Sequence, residues 1–447
     1  MAAVSLWYNH VLPGSEQSGL VRAIGRWSLA ALVINSIIGS GIFGLPSDVA
    51  RLIGRSSPWA VLLAGVAAGI IMACFAEVAS QFTQAGGPYL YARAAFGRFV
   101  GIEMGWMLWL VRLAAPAATS NLFVIYCGEF WPHAKESLPR FLILTFLYGV
   151  LTLINYRGVR ASTQVNNVFT VAKLLPLFLV AIAGSFYLLA GHKAAPVLPG
   201  SAGVGAWLKA CLLLVFAYGG FETALTPLSE AKNPRRDAAF ALFTALITCT
   251  LLYSTIQWVV VGILPDPAHS ERPLADVARL VFGNSGAAFV SVGALVSVVG
   301  YLSANMLGVP RITFALAENG DFPSIFAAIH PRFRTPYASI LAFALLSWLL
   351  ALLGSFTWNA TLSAVARLLY YGLVCTALPV FRRKQPEAAM FRLPGGTLFA
   401  VSGTGICAVL IAGVNLSGSL ILLATALVAM LNWVLVRKRR AAEPLVP

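Results

Sequence analysis

The chain predicts an all-α polytopic membrane protein with twelve transmembrane helices, and three observations carry that assignment. Of its 447 residues 59% are hydrophobic and only 11% are charged, where soluble domains carry about 25% charge. At about 20 apolar residues per crossing, that hydrophobic share fills roughly a dozen spans. The apolar residues also fall into runs bounded by Pro, Gly and charges. A soluble enzyme, a nucleic-acid-binding protein and a disordered chain are excluded, so the net charge of +15 belongs to the loops of a membrane protein.

The runs place spans at 28–50, 59–81, 100–128, 139–155, 164–190, 207–229, 239–263, 283–314, 337–354, 358–381, 398–413 and 418–436. The eleventh is the shortest. Residues 1–27 form an N-terminal segment, 28–436 a twelve-helix domain and 437–447 a tail. An even span number puts both termini on one side. With the N-terminus inside, eight basic residues face outward: Arg51, Arg55, Lys135, Arg140, Lys193, Lys209, Arg272 and Arg279. Four lie within or at the ends of spans, Arg112, Lys173, Arg311 and Arg367, and the other 19 of 31 face inward. That bias predicts cytoplasmic termini in the inner (cytoplasmic) membrane. The start lacks a basic region followed by an apolar core, so no cleaved signal peptide is expected.

Two spans are interrupted. The first carries Ile-Ile-Gly-Ser-Gly-Ile-Phe (37–43), with Pro46 just beyond. The sixth carries Phe-Ala-Tyr-Gly-Gly-Phe-Glu (216–222). Glycine costs about 1 kcal/mol relative to Ala inside a helix, so paired glycines favour unwinding. Backbone freed at membrane depth needs a polar cavity to line. Close packing through small residues is the competing explanation. Matched interruptions about 180 residues apart point to an inverted-repeat transporter, with repeats at about 28–190 (helices 1–5) and 207–381 (helices 6–10) and helices 11–12 added.

These motifs resemble the amino acid–polyamine–organocation (APC) transporters, which share the leucine-transporter fold. Gly-Ser-Gly-Ile-Phe-Gly-Leu-Pro (39–46), Gly-Gly-Pro-Tyr-Leu-Tyr-Ala-Arg-Ala-Ala-Phe-Gly (86–97), 216–222 with Glu-Ala-Lys-Asn-Pro-Arg-Arg (230–236), Arg311–Pro323 and His330–Pro336 follow the family order. The resemblance implies an amino acid permease of the leucine-transporter type. A broken helix offers N–H groups and a positive dipole end to a carboxylate. That assigns Ser40 and Gly41 to the substrate carboxylate, with Gly39 beside them in the binding site. By resemblance the ammonium meets carbonyls of Ile37, Phe216 and Gly219, Asn305 faces the substrate side chain, and Phe221 is a gate, with ordinary packing as the alternative.

Glu222 and Lys173 are ionisable at membrane depth, which is costly and marks function. The resemblance makes Glu222 a proton-responsive gate. It puts Lys173 where sodium-coupled relatives hold a cation, with a carbonyl of the first half-helix or Ser303 as acceptor and Tyr253 nearby. Snorkelling of Lys173 and a backbone-held Glu222 are the structural alternatives. Arg112 and Arg367 are expected in ion pairs, with Glu77 and Glu103 as candidates.

The implied function is sodium-independent transport of small or medium neutral L-amino acids by alternating access, as proton symport, exchange or facilitated uniport, with a cationic amino acid or polyamine permease as the alternative. An enzyme is not expected: all five histidines fall outside the spans and there is no HExxH or P-loop. The six cysteines stand singly, so neither metal nor disulfide is indicated. The expected partners are an amino acid, protons and the lipid bilayer, without nucleic acid or cofactor.

Overall fold

The computed structural model describes residues 25–82, 87–157, 163–194, 202–224, 233–386, 389–414 and 416–442. Most of the segment 1–27, Glu230–Lys232 of the fourth motif and the side chains of the basic run 437–440 lie outside the described residues. Every regular element among the described residues is helical.

Helices occupy each of the twelve predicted segments. The first span is two helices, α1 (Arg26–Ile37) and α2 (Gly41–Ile53). Next come α3 (Ser57–Ala79), α4 (Gly87–Phe96), α5 (Arg98–Cys127), α6 (Ser137–Arg157) and α7 (Thr163–Leu189). The sixth span is again split, into α8 (Val204–Tyr218) and α9 (Phe221–Ala224). There follow α10 (Pro234–Ile263), α11 (Pro273–Glu318), α12 (Tyr337–Leu353), α13 (Phe356–Lys384), α14 (Gly396–Ala412) and α15 (Leu416–Ala442). Among the described residues eight helical stretches are long and apolar enough to cross a membrane, and Lys173–Leu189, Tyr337–Leu353 and Gly396–Ala412 are apolar but shorter. The chain is a multi-pass membrane protein.

Two elements differ from the expected spans. The motif at 86–97 holds a helix, α4, too short and polar to appear as an apolar run. α11 starts ten residues before the predicted 283, and Gly283 (φ 73°) kinks it where the apolar run begins. The segment before the kink carries Asp276 and Arg279 and so escapes an apolarity count.

The core forms around α5 and α13, which pack on each other; α13 also packs on α14, α10 on α1 and α3, and α11 on α5 and α7. α6 and α15 present mostly exposed apolar surface, as Phe146 (74% exposed) illustrates. Such a surface suits hydrocarbon, whereas backbone polar groups must be satisfied internally.

Ion pairs tie the helix ends. Asp321 is buried and accepts from Tyr89, Arg93 and Arg98 (Nε to Oδ1, 2.8 Å), while Asn432 donates to its carbonyl at 2.7 Å. This links α4, α5, α15 and the end of α11. Burial, and then the Asp321 charge, push the Tyr89 phenol well above its ordinary pKa, so it stays a neutral donor. Glu77, expected near Arg112 or Arg367, instead takes Arg382 in a bidentate pair (2.7 Å each) and the Leu393 N–H (2.8 Å).

Candidate functional site

The two helix breaks meet at a cavity of about 220 Å³, below the roughly 300–1,000 Å³ of drug-sized sites and on the scale of one small solute. Its walls come from the α1–α2 break, α5, α7, the α8–α9 break, α11 and α13.

The first break arises because Ile38 leaves the helix (φ −69°, ψ 94°) and α2 restarts after Ser40. A helix start leaves its first N–H groups without intrahelical acceptors, and Gly39, Ser40 and Gly41 at the start of α2 line the cavity. Ser40 Oγ is 2.8 Å from Thr119 Oγ1 of α5. Gly41 has a second reason to be glycine. A Cβ there would lie 2.9 Å from Ala217 Cα, so α2 and α8 touch through small residues. Gly41→Val would therefore disturb helix packing as well as the cavity and does not isolate the binding role.

The end of α1 leaves carbonyls unpaired and carries the negative end of the helix dipole. Lys173 sits there. Its Nζ donates to the Ile38 carbonyl at 2.8 Å and also to that of Asn35. Backbone carbonyls, as the sequence suggested, are its acceptors; Ser303 makes no hydrogen bond to it among the described residues and does not line the cavity. Tyr253 is fully buried and its OH donates to carbonyls at both helix ends, Ile37 (3.1 Å) and Ala217 (3.3 Å).

At the second break, Gly220 has φ +108°, and a Cβ on it would come within 2.3 Å of the Ser36 carbonyl oxygen. Only glycine permits that backbone and that approach to α1. Beside it Glu222 is fully ringed by donors. It accepts from Tyr370 OH (2.8 Å), Tyr371 OH (2.9 Å), the Gly220 N–H (3.0 Å) and Arg367 Nε (3.2 Å). Arg367 also lies over the Phe216 carbonyl (Nη1 to O, 3.4 Å). The pairing of Arg367 with Glu222, 145 residues apart, differs from the Glu77 and Glu103 candidates.

Asn305 lines the cavity as expected, its Nδ2 bound to the Tyr301 carbonyl at 2.9 Å. Phe221 does not line it. The ring is 1% exposed and packs on Phe75 (centroids 5.1 Å) and Tyr371 (5.2 Å). In this conformation it is a packing residue behind the break. Sequence reasoning expected Arg112 and Arg367 in structural ion pairs; Arg367 is in one, with Glu222, and both arginines also line the cavity. The available signal was helical spacing: Arg112, Ala115 and Thr119 fall on one face of α5. No cluster able to hold a metal ion occurs among the described residues.

The profile of the amino acid permease family matches residues 24–436. The chain belongs to that family. The permease is 28% identical to a branched-chain amino acid permease of Bacillus subtilis over 400 residues, 85% of each chain. It is equally similar (28%) to a methylthioribose transporter of the same organism over 88% of each chain. A vacuolar cationic amino acid transporter of Arabidopsis thaliana is 27% identical, covering 87% of this permease and 68% of that protein. The family consists of transporters, and this permease is not an enzyme.

Proposed function

We propose that the permease moves an L-amino acid across the cytoplasmic membrane by alternating access and without sodium. In this reading twelve segments cross the membrane as two inverted repeats of five, with two helices added and both termini cytoplasmic. The substrate carboxylate takes the amides of Gly39–Gly41 at the start of α2. Its ammonium takes the carbonyls of Ile37, which accepts from Tyr253 and keeps a second lone pair, of Gly219, and of Phe216 in exchange for the long contact from Arg367 Nη1. A proton or a counter-transported amino acid drives accumulation.

The observation that carries sodium independence is the Lys173 ammonium on the Asn35 and Ile38 carbonyls. A fixed cation there satisfies the oxygens that a bound metal ion would otherwise use. On the opposite flank of the break, Tyr126 OH donates to the Phe43 carbonyl (3.0 Å) and Gln257 to the Pro46 carbonyl (3.0 Å). These bonds supply a seal, so the cavity is read as cytoplasm-facing. A cationic amino acid or polyamine fits less well, because three cations, Arg112, Lys173 and Arg367, line the cavity.

Uptake of radiolabelled amino acids into proteoliposomes, with sodium replaced by choline at constant pH, tests this. Unchanged initial rates are expected. A collapse of uptake in choline would contradict the role given to Lys173.

A further inference from the structure

We infer that the substrate bears a second anionic group on its side chain and that Arg112 receives it. This deepens the amino acid reading above and rests on it.

The first observation is an unspent charge. Arg112 is partly buried in the cavity wall and has no hydrogen bond or ion pair among the described residues. Arginines at membrane depth almost always pair with another group. Among the described residues, the candidate carboxylates are engaged elsewhere or, in the case of Glu103, turned away. Glu222, whose field Arg112 does reach, already has four donors including Arg367. Glu77 is held by Arg382 and Asp48 by Arg51 and Thr357. Glu103 stands nine residues before Arg112 on α5, which at 3.6 residues per turn is the opposite face of the helix.

The second observation is register. Arg112 and Ala115 line the cavity, and Thr119 on the same face holds Ser40 at the carboxylate end. Seven residues of helix put Arg112 about 10 Å from Thr119 along α5. A ligand with its carboxylate at Ser40–Gly41 therefore extends its side chain along this face toward the guanidinium.

The third is electrostatic balance. A cationic side chain would meet Arg112, Lys173 and Arg367. A neutral one would leave Arg112 unpaired in a low-dielectric wall, which is costly. A carboxylate, or a similar small oxyanion, pairs with it, and the planar fork of arginine matches such a group with two parallel bonds.

The test is counterflow in proteoliposomes containing the full-length permease, with L-glutamate, L-aspartate, L-glutamine, L-leucine and L-arginine as competitors. L-Glutamate and L-aspartate are expected to compete about 10- to 100-fold more tightly than L-glutamine, the worth of one charge-assisted hydrogen-bonded pair. Arg112→Ala should erase that preference while weakening L-glutamine far less, and Arg112→Lys should restore part of it. A wild-type protein that prefers L-glutamine, L-leucine or L-arginine overturns the inference by itself, as does an Arg112→Ala variant that weakens all five equally. Should Arg112→Ala not fold, the wild-type ranking and Arg112→Gln decide. If no amino acid of any charge is transported by folded wild-type protein, the amino acid reading falls. If neutral ones are transported and acidic ones are not, only the assignment of Arg112 falls.

Discussion

Replacing Glu222 by glutamine should destabilise the permease by about 3–5 kcal/mol, the cost of breaking a buried ion pair from one side. The carboxylate accepts four hydrogen bonds, from the guanidinium of Arg367, two tyrosine hydroxyls and the Gly220 N–H. A glutamine fits the same space, but its nitrogen can only donate. Its single oxygen serves the two donors on one side; on the other the tyrosine hydroxyl can turn and accept from the amide NH₂, but the N–H beside it is left without an acceptor, at about 1–3 kcal/mol. Arg367 also becomes an uncompensated charge, its side chain 7% exposed. Solvent screening offers little relief at that depth, unlike a surface pair. The measurement is reversible unfolding in mixed detergent micelles for Glu222→Gln, Arg367→Met and the double variant. The double variant should lose less than the two singles together, with a coupling of about 1–3 kcal/mol. Additivity to within about 0.5 kcal/mol, or a Glu222→Gln protein as stable as wild type, would refute the reasoning.

Lys173→Ala should leave equilibrium substrate affinity near normal and slow uptake, because Lys173 binds the end of α1 rather than the carboxylate site, and a group shifts a conformational equilibrium only by its differential interaction with the two states. Binding and initial-rate measurements on one preparation check this, and a loss of affinity by orders of magnitude would place Lys173 in the substrate pocket. Asp321→Asn, which weakens the acceptor of Tyr89, Arg93 and Arg98, should cost about 1–3 kcal/mol, seen as a lower melting temperature without a change in substrate affinity.

The apolar segments were legible because bilayer thickness imposes length and composition on each span, a constraint local in sequence. The breaks at Gly39 and Gly219–Gly220 were legible for a similar reason: a glycine pair weakens its own turn of helix wherever it lies. α4 and the segment of α11 before Gly283 were not, since each is amphipathic and shorter than a span. Pairings were the least accessible. Glu222 meets Arg367 and Glu77 meets Arg382 only because α13 packs beside the second break and α3, and no spacing rule within one helix encodes that. Phe221 was legible in position but not in direction. Its place after the break suggested a gate, but the turn at Gly220 sends the ring into the aromatic cluster with Phe75 and Tyr371. Arg112 was visible as a charge within a span, while its lack of a partner among the described residues emerged only once their carboxylates had been assigned.

The central claim is that the cavity between the two breaks is the substrate site. Ala304 lines that cavity and is exposed, and of the six free cysteines only Cys127 is not buried. A permease carrying Ala304→Cys on a Cys127→Ser background can therefore be labelled with a maleimide in the presence and absence of substrate. The introduced thiol is expected to react, and the transported L-amino acid to slow the reaction in a saturable manner, while its D-enantiomer does not. A labelling rate unaffected by saturating substrate, in protein that still transports it, would contradict the account.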